Sequence, residues 1–261
     1  MPNQRNRHAL LFQAILFLTA IGAALFDSNR CLAQQVERKG QSTIVAPATD
    51  KRFPNLGELK TRLTKYHDCQ LNEKRSGCYE KDLSAVIIRA REYLQRHLKS
   101  GRKQAIVLDI DETSLSNWEE IKDDDFGYKP RKWNDWIESA KAPAIAPTLE
   151  LFNFAKQHGI AVFFITGRRE SSREATERNL KTAGYAGWQG LILRPQSDTP
   201  CAEYADAKER SEVVCYKATA RKRISVDGYR IVINLGDQMS DLRGGHAERA
   251  FKLPNPFYFI P

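Results

Sequence analysis

No Cys-x-x-Cys pair occurs anywhere in the 261 residues. That spacing is the usual mark of a structural zinc site, so zinc scaffolding is not the first reading of the five cysteines. His67, His158 and His246 stand far apart with no ligand spacing to one another, and none is assigned a role. There is no internal repeat, which argues against a repeat architecture, and no nucleic-acid module can be traced. Lysine and arginine outnumber the acids 41 to 32, for a net charge of +9. The two signs are mixed along the chain, so diffuse solvated charge is the default reading. Such a surface attracts small anions, among them phosphate esters and nucleotides, or anionic lipid and polysaccharide. No nucleic-acid polymer is expected as a partner.

The chemistry is concentrated where apolar runs end. Residues 106–113 read Ile-Val-Leu-Asp-Ile-Asp-Glu-Thr. Residues 105–108 have the length and composition of a buried strand. Asp109 and Asp111 at its end therefore need a reason, because ligands of open α/β sheets bind at the carboxyl ends of the strands. Two acids there can divide labour, one as nucleophile or metal ligand and the other as proton donor. A second run, residues 160–165, ends in Thr166-Gly167-Arg168-Arg169 and offers a hydroxyl with neighbouring backbone N–H groups. A third, residues 231–235, ends in Gly236-Asp237-Gln238-Met239-Ser240-Asp241, which sets two acids about one helical turn apart. Hard cations such as Mg²⁺ take oxygen ligands, and carboxylates from the first and third strands would suit one. Between them, residues 217–223 are basic. One lysine there can balance a phosphate among crowded carboxylates, while most of that stretch reads as a solvated helix face.

Asp-x-Asp-x-Thr, Thr-Gly, Lys and Gly-Asp-x-x-x-Asp, in that order, resemble the haloacid dehalogenase superfamily of phosphohydrolases. Residues 109–117, 164–169 and 229–242 are similar to the branch that holds bacterial class C-type acid phosphatases and plant vegetative storage proteins. The resemblance runs from about Pro54 to the C-terminus. It implies a Rossmann-like, three-layer α/β fold with a small insertion near the active site. It also implies Asp109 as nucleophile, Asp111 as general acid and base, and Thr166 as a holder of phosphoryl oxygens. Lys217 is the best match to the catalytic lysine, with Lys222 as the other candidate. Mg²⁺ would be held by the carboxylates of Asp109 and Asp237 and the main-chain carbonyl of Asp111, with Asp241 supporting the site from behind. The implied activity is acid phosphatase on small phosphomonoesters, nucleoside monophosphates being one candidate class. A phosphotransferase on the same site and a non-catalytic storage or binding protein are the alternatives. Related enzymes form dimers, so a homodimer is an open possibility.

The N-terminus bears on compartment. Arg5, Arg7 and His8 precede an apolar run at residues 9–26, and Ala33 offers a small residue before a cut. That is the layout of a secretory signal over residues 1–33. The run is also just long enough to span a membrane uncleaved, and Cys31 leaves lipid attachment open. Cleavage would remove three arginines and one aspartate, leaving about 228 residues at about +7, enough for one α/β domain. Export and the four remaining cysteines suggest disulfides, Cys69–Cys78 and Cys201–Cys215 being the pairing that closes two short loops, with free thiols as the alternative. Periplasmic or secreted localisation follows.

Residues 34–53 form a polar lead without a clear period, and residues 54–261 the phosphatase domain. Helical spacing marks residues 56–67 and 81–98, with Val86, Ile87, Ala90, Tyr93, Leu94 and Leu98 as one apolar stripe in the second. Pro147 and Gly159 bracket another helix. Ser171-Ser172-Arg173-Glu174 fits a capping box, and Gly184 ends that helix. Residues 190–193 are a further short strand. Strands alternating with helices predict a parallel sheet. Residues 112–146 carry Trp118, Phe126, Tyr128, Trp133 and Trp136. They either fill a local core or, for at least one ring, touch a substrate's leaving group. Asp123-Asp124-Asp125 reads as a turn rather than a metal cluster.

Overall fold

The structure, a computed structural model, describes residues 54–69, 78–98, 103–196 and 212–260. Asn55–Pro261 form one compact unit. The expected signal, the polar lead and Cys201 lie outside the described residues, and among the described residues no helix is long and apolar enough to cross a membrane.

Five parallel strands make one sheet in the order β3-β2-β1-β4-β5. Their ranges are β1 Gln104–Leu108, β2 Ala161–Arg169, β3 Gly190–Arg194, β4 Arg230–Gly236 and β5 Arg249–Lys252. The central strand β1 is buried at every position, which is why it reads as an unbroken apolar run instead of an alternating one. Its side chains divide between the two faces, as a period of two requires. Ile106 and Leu108 join the larger core, while Ala105 and Val107 join the smaller one.

Helices cover both faces, so the expected three-layer α/β architecture is borne out. On the larger side lie α1 (Leu56–His67), α2 (Tyr79–Arg96) and α5 (Ala146–Gln157). Helix α2 buries Tyr79, Leu83, Ile87, Ala90 and Leu94. Each of the larger aliphatic groups contributes on the order of 1.5–3 kcal/mol. Val86, Tyr93 and Leu98, expected on the same stripe, pack half-buried at its border. A disulfide between Cys69 and Cys78, with Cα atoms 5.0 Å apart, ties the end of α1 to the start of α2. Cys215 is also disulfide-bonded; Cys201, the partner expected for it, lies outside the described residues. Between β2 and β3 runs α6 (Arg173–Thr182).

Helix α7 (Glu212–Val226) covers the smaller core through Ala220 and Ile224. Its basic stretch is divided: Lys217 and Arg221, one turn apart, are both buried, while Lys222 is half-buried and Arg223 is exposed. After β4 a single-turn helix α8 (Met239–Leu242) leads into β5.

Two local expectations are corrected, and one strand was not foreseen. Strand β2 does not stop before Thr166-Gly167 but continues to Arg169, with its pairing to β3 slipping after Ile165. Before α6 the chain forms a 3₁₀ turn over Glu170–Ser172, and Ser172 makes no side-chain cap. Arg173 instead engages Glu170 beside it. Strand β5 has no counterpart in the sequence reading, because an edge strand reading Arg-Ala-Phe-Lys has no apolar run to reveal it.

The insertion folds into α3 (Trp118–Asp123) and α4 (Pro130–Ser139). Trp118 lies flat on His67, ring centres 3.8 Å apart and planes 11° apart. Trp118 also meets Phe126 and Phe257. These rings fill a local core, whereas Tyr128 is 71 % exposed. The three aspartates pair with lysines: Asp123 with Lys132, Asp124 with Lys129 and Lys132, and Asp125 with Lys60.

Candidate active site

Register brings three strand ends to one place. Leu108 on β1 pairs with Phe164 on β2 and with Leu235 on β4. Asp109 follows Leu108 directly, Thr166 lies two residues past Phe164, and Asp237 lies two past Leu235. The N–H of Asp109 is donated to the carbonyl of Leu235 at 3.0 Å, which stitches β1 to β4 where the acids emerge.

Asp109, Asp237 and Asp241 are all buried, and one oxygen of each lies within 4.8 Å of the others. Lys217 reaches in from α7 and donates to Asp109 Oδ1 at 2.6 Å and to Asp241 Oδ1 at 2.5 Å. Burial works to lower the Lys217 pKa, but the two carboxylates outweigh it and hold the ammonium charged. Lys222, the other candidate, sits five residues further along the same helix, on a different face from Lys217. Asp241 is committed on both oxygens, since Oδ2 takes the N–H of Gln238 at 2.7 Å in a capping box. Gly236 is required here, because a Cβ at that position would overlap the Asp241 side chain.

Asp237 Oδ2 accepts from Gln238 Nε2 at 2.8 Å and Asn255 Nδ2 at 2.7 Å, whereas its Oδ1, among the described residues, has only the Thr113 hydroxyl at 3.3 Å. Burial raises the Asp237 pKa to about 6, aided by Asp241 and opposed by Asn255 and Gln238. Asp109 is raised well above the usual carboxylate range, first by burial and then by Asp241.

Three buried carboxylates facing one ammonium leave negative charge uncompensated, which is costly away from water. Among the described residues, Asp109 Oδ2 has no side-chain donor and Asp237 Oδ1 has only the longer bond from Thr113. This donor set fits a hard divalent cation, and the doubly committed Asp241 is better suited to hold Lys217 than to ligate.

Asp111 has different company. It is fixed by the Arg168 guanidinium, with Nη2 on Oδ1 at 2.7 Å and Nε 3.1 and 3.2 Å from Oδ1 and Oδ2. Asn117 Nδ2 adds a bond to Oδ1 at 3.0 Å. Thr166 is fully buried, and its Oγ1 accepts the Arg168 N–H at 3.1 Å. A hydroxyl that accepts in this way still has its own O–H to donate.

The sequence reading missed Arg168, Glu112, Asn117, Tyr258 and Arg221. Arg168 and Asn117 lay inside the quoted motifs, where a charged or amide residue next to the acids was the available signal. Glu112 is buried, in a left-handed conformation (φ 50°), and burial pushes its pKa up to about 8. It accepts from Asn117 and from the Tyr258 hydroxyl at 3.0 Å. Arg221 donates to the carbonyls of Asp241 at 2.6 Å and Gly245 at 2.8 Å and to that of Arg243, and so holds the turn after α8. Beside Asp237 a cleft of about 410 Å³ is lined by Gln238, Met239, Lys252, Asn255, Tyr258 and Phe259, among others.

A family model described as HAD superfamily, subfamily IIIB (acid phosphatase), matches residues 55–261. The stem 28 kDa glycoprotein of Glycine max is 38 % identical over 189 residues, 70 % of each chain. Acid phosphatase 1 of Solanum lycopersicum is 35 % identical over 187 residues, covering 70 % of this chain and 69 % of that one. The class C acid phosphatase from Bacillus anthracis shares the fold at a TM-score of 0.60 and 22 % identity, covering 78 % of this chain and 86 % of that one. Fold, site and relatives together define a phosphoric monoester hydrolase. The chain belongs to subfamily IIIB of the HAD superfamily, the acid phosphatases.

Proposed function

We propose that the protein is an exported, Mg²⁺-dependent acid phosphatase that works through an aspartyl-phosphate on Asp109. The observation that carries this reading is the buried Asp109–Lys217–Asp241 arrangement beside Asp237. One oxygen of the Asp109 carboxylate attacks phosphorus in line while the other remains with the cationic side of the site, where Lys217 already holds Oδ1. Lys217 offsets the charge of the phosphoryl oxygens, and the Thr166 O–H donates to one of them. The carboxylates of Asp109 and Asp237 with the main-chain carbonyl of Asp111 would hold Mg²⁺, which when bound neutralises phosphate charge as a Lewis acid. As the ester bond breaks, Asp111 gives a proton to the leaving oxygen. It then takes one from the water that hydrolyses the intermediate.

The cleft beside Asp237 has room for a leaving group. Tyr258, Phe259 and Pro256 offer apolar and aromatic surface, and Lys252 offers a cation, a lining that suits nucleoside monophosphates. Export through a signal over residues 1–33 agrees with the Cys69–Cys78 disulfide, a bond that persists in oxidising compartments. The intact Asp109–Lys217 pair disfavours a purely storage role. Hydrolysis of an aryl phosphate from mildly acidic to neutral pH, with Mg²⁺ and with chelator, tests the reading. Turnover that requires the metal is expected, and no turnover by folded, Mg²⁺-loaded protein would overturn it.

A further inference from the structure

The environment of Asp111 contains a chain of bonds that the phosphatase reading does not use. Asn117 is fully buried at the start of α3. Its Oδ1 accepts the indole N–H of Trp136 at 2.8 Å. An indole nitrogen can only donate, so this bond fixes which end of the amide is oxygen. The Nδ2 end must then point the other way, where it donates to Asp111 Oδ1 and Glu112 Oε2, each at 3.0 Å. Glu112 grips the same residue a second time by accepting the Asn117 backbone N–H at 2.5 Å. Tyr258, on the wall of the cleft, holds Glu112 from the other side at 3.0 Å.

The consequence falls on one atom. Asp111 Oδ1 takes Arg168 Nη2, Asn117 Nδ2 and, at 3.1 Å, Arg168 Nε, whereas among the described residues Oδ2 has only a share of that same Nε at 3.2 Å. A carboxyl oxygen that already accepts these donors cannot also carry the proton. We infer that Asn117, oriented by Trp136 of the insertion, is a positioning residue that keeps the transferable proton of Asp111 on Oδ2, toward the leaving group. The inference rests on the phosphatase reading, in which the Oδ2–H bond breaks as its proton passes to the ester oxygen released from phosphorus. The aromatic insertion therefore acts on catalysis through the indole N–H of Trp136.

The test uses leaving groups that differ in their need for that proton. A nitrophenolate departs well without it and an alkoxide does not. In the full-length protein, Asn117→Ala should lower kcat on glycerol phosphate by about 10- to 100-fold, the cost of one hydrogen bond to a charged group. KM should stay near wild type, and kcat on nitrophenyl phosphate should fall by far less. Trp136→Phe keeps an aromatic side chain while removing the N–H donor, and should show the same selectivity at smaller amplitude. It also decides the matter if Asn117→Ala does not fold. Equal losses on the two esters would indicate a merely structural role and overturn the inference. Wild type inactive on both esters would instead overturn the phosphatase reading, so the two failures are distinguishable.

Discussion

Asp109 and Asp111 leave the same strand end two residues apart, yet the fold treats them differently. Asp109 is buried against an ammonium and two further carboxylates, on the side built by α7 and β4. Asp111 is partly open, its side chain 18 % exposed, and is clamped by a guanidinium and an amide from β2 and the insertion. One half of the site concentrates charge where a phosphate and a cation would meet. The other fixes the direction of a single carboxyl. Two carboxylates given separate tasks by separate surroundings is a recurring pattern of acid–base enzymes.

Breaking the Asp109 half should cost most. Asp109→Asn replaces the proposed nucleophilic carboxylate with a neutral amide, and kcat should fall by about 10⁴-fold or more on every ester, alkyl or aryl alike. Lys217→Met should follow at about 10²–10³-fold, the scale for a single charge-stabilising donor. It also leaves Asp109 and Asp241 buried without their cation, so a lowered Tm should accompany the lost rate. Steady-state kinetics and thermal melts of the two variants separate these effects. Gly236→Ala should act through Asp241, forcing it off Lys217, with a loss of activity smaller than that of Lys217→Met and a measurable weakening of Mg²⁺ binding by calorimetry. Unchanged metal affinity would argue against that route.

The smallest effect concerns pH. In the metal-free fold Glu112 is raised from 4.5 to about 8 and Asp237 from 3.8 to about 6, both chiefly by burial, with Asp109 raised as well. An acid that binds its proton more tightly when folded destabilises the fold as pH rises from its unfolded value through its folded one. With chelator present, Tm should therefore fall between about pH 4 and pH 8, by an amount on the order of 5 °C. Added Mg²⁺ should flatten that slope if the carboxylates hold it. A chelated protein whose Tm rises across the window would contradict the charge arrangement described here.

The Asp109 half was also the more legible in sequence. Its acids end apolar runs that must be strands, so their position at the sheet's carboxyl edge follows from the fold alone. Lys217 could be singled out only by resemblance, because its burial depends on which face of α7 meets the sheet. The Asp111 half was mostly silent. Asn117 and Trp136 are 19 positions apart, and Glu112 and Tyr258 are 146 apart. No periodicity links such pairs, and only the packing of the insertion and the C-terminal segment brings them together. Strand β5 escaped for a related reason, since an edge strand with little buried surface carries little pattern. The capping box at Ser171–Glu174 failed because a 3₁₀ turn over Glu170–Ser172 precedes the helix and places Ser171 inside the turn rather than at the helix cap.

The most direct test of the central claim is to trap the intermediate. Asp111→Asn should still be phosphorylated by nitrophenyl phosphate with Mg²⁺, because that leaving group needs little help, but should hydrolyse slowly for want of a base. Acid quenching followed by peptide mass spectrometry should then find one added phosphoryl group on the peptide that carries Asp109. Release of nitrophenol with no phosphoryl group on Asp109, or with the group on another residue, would contradict the account.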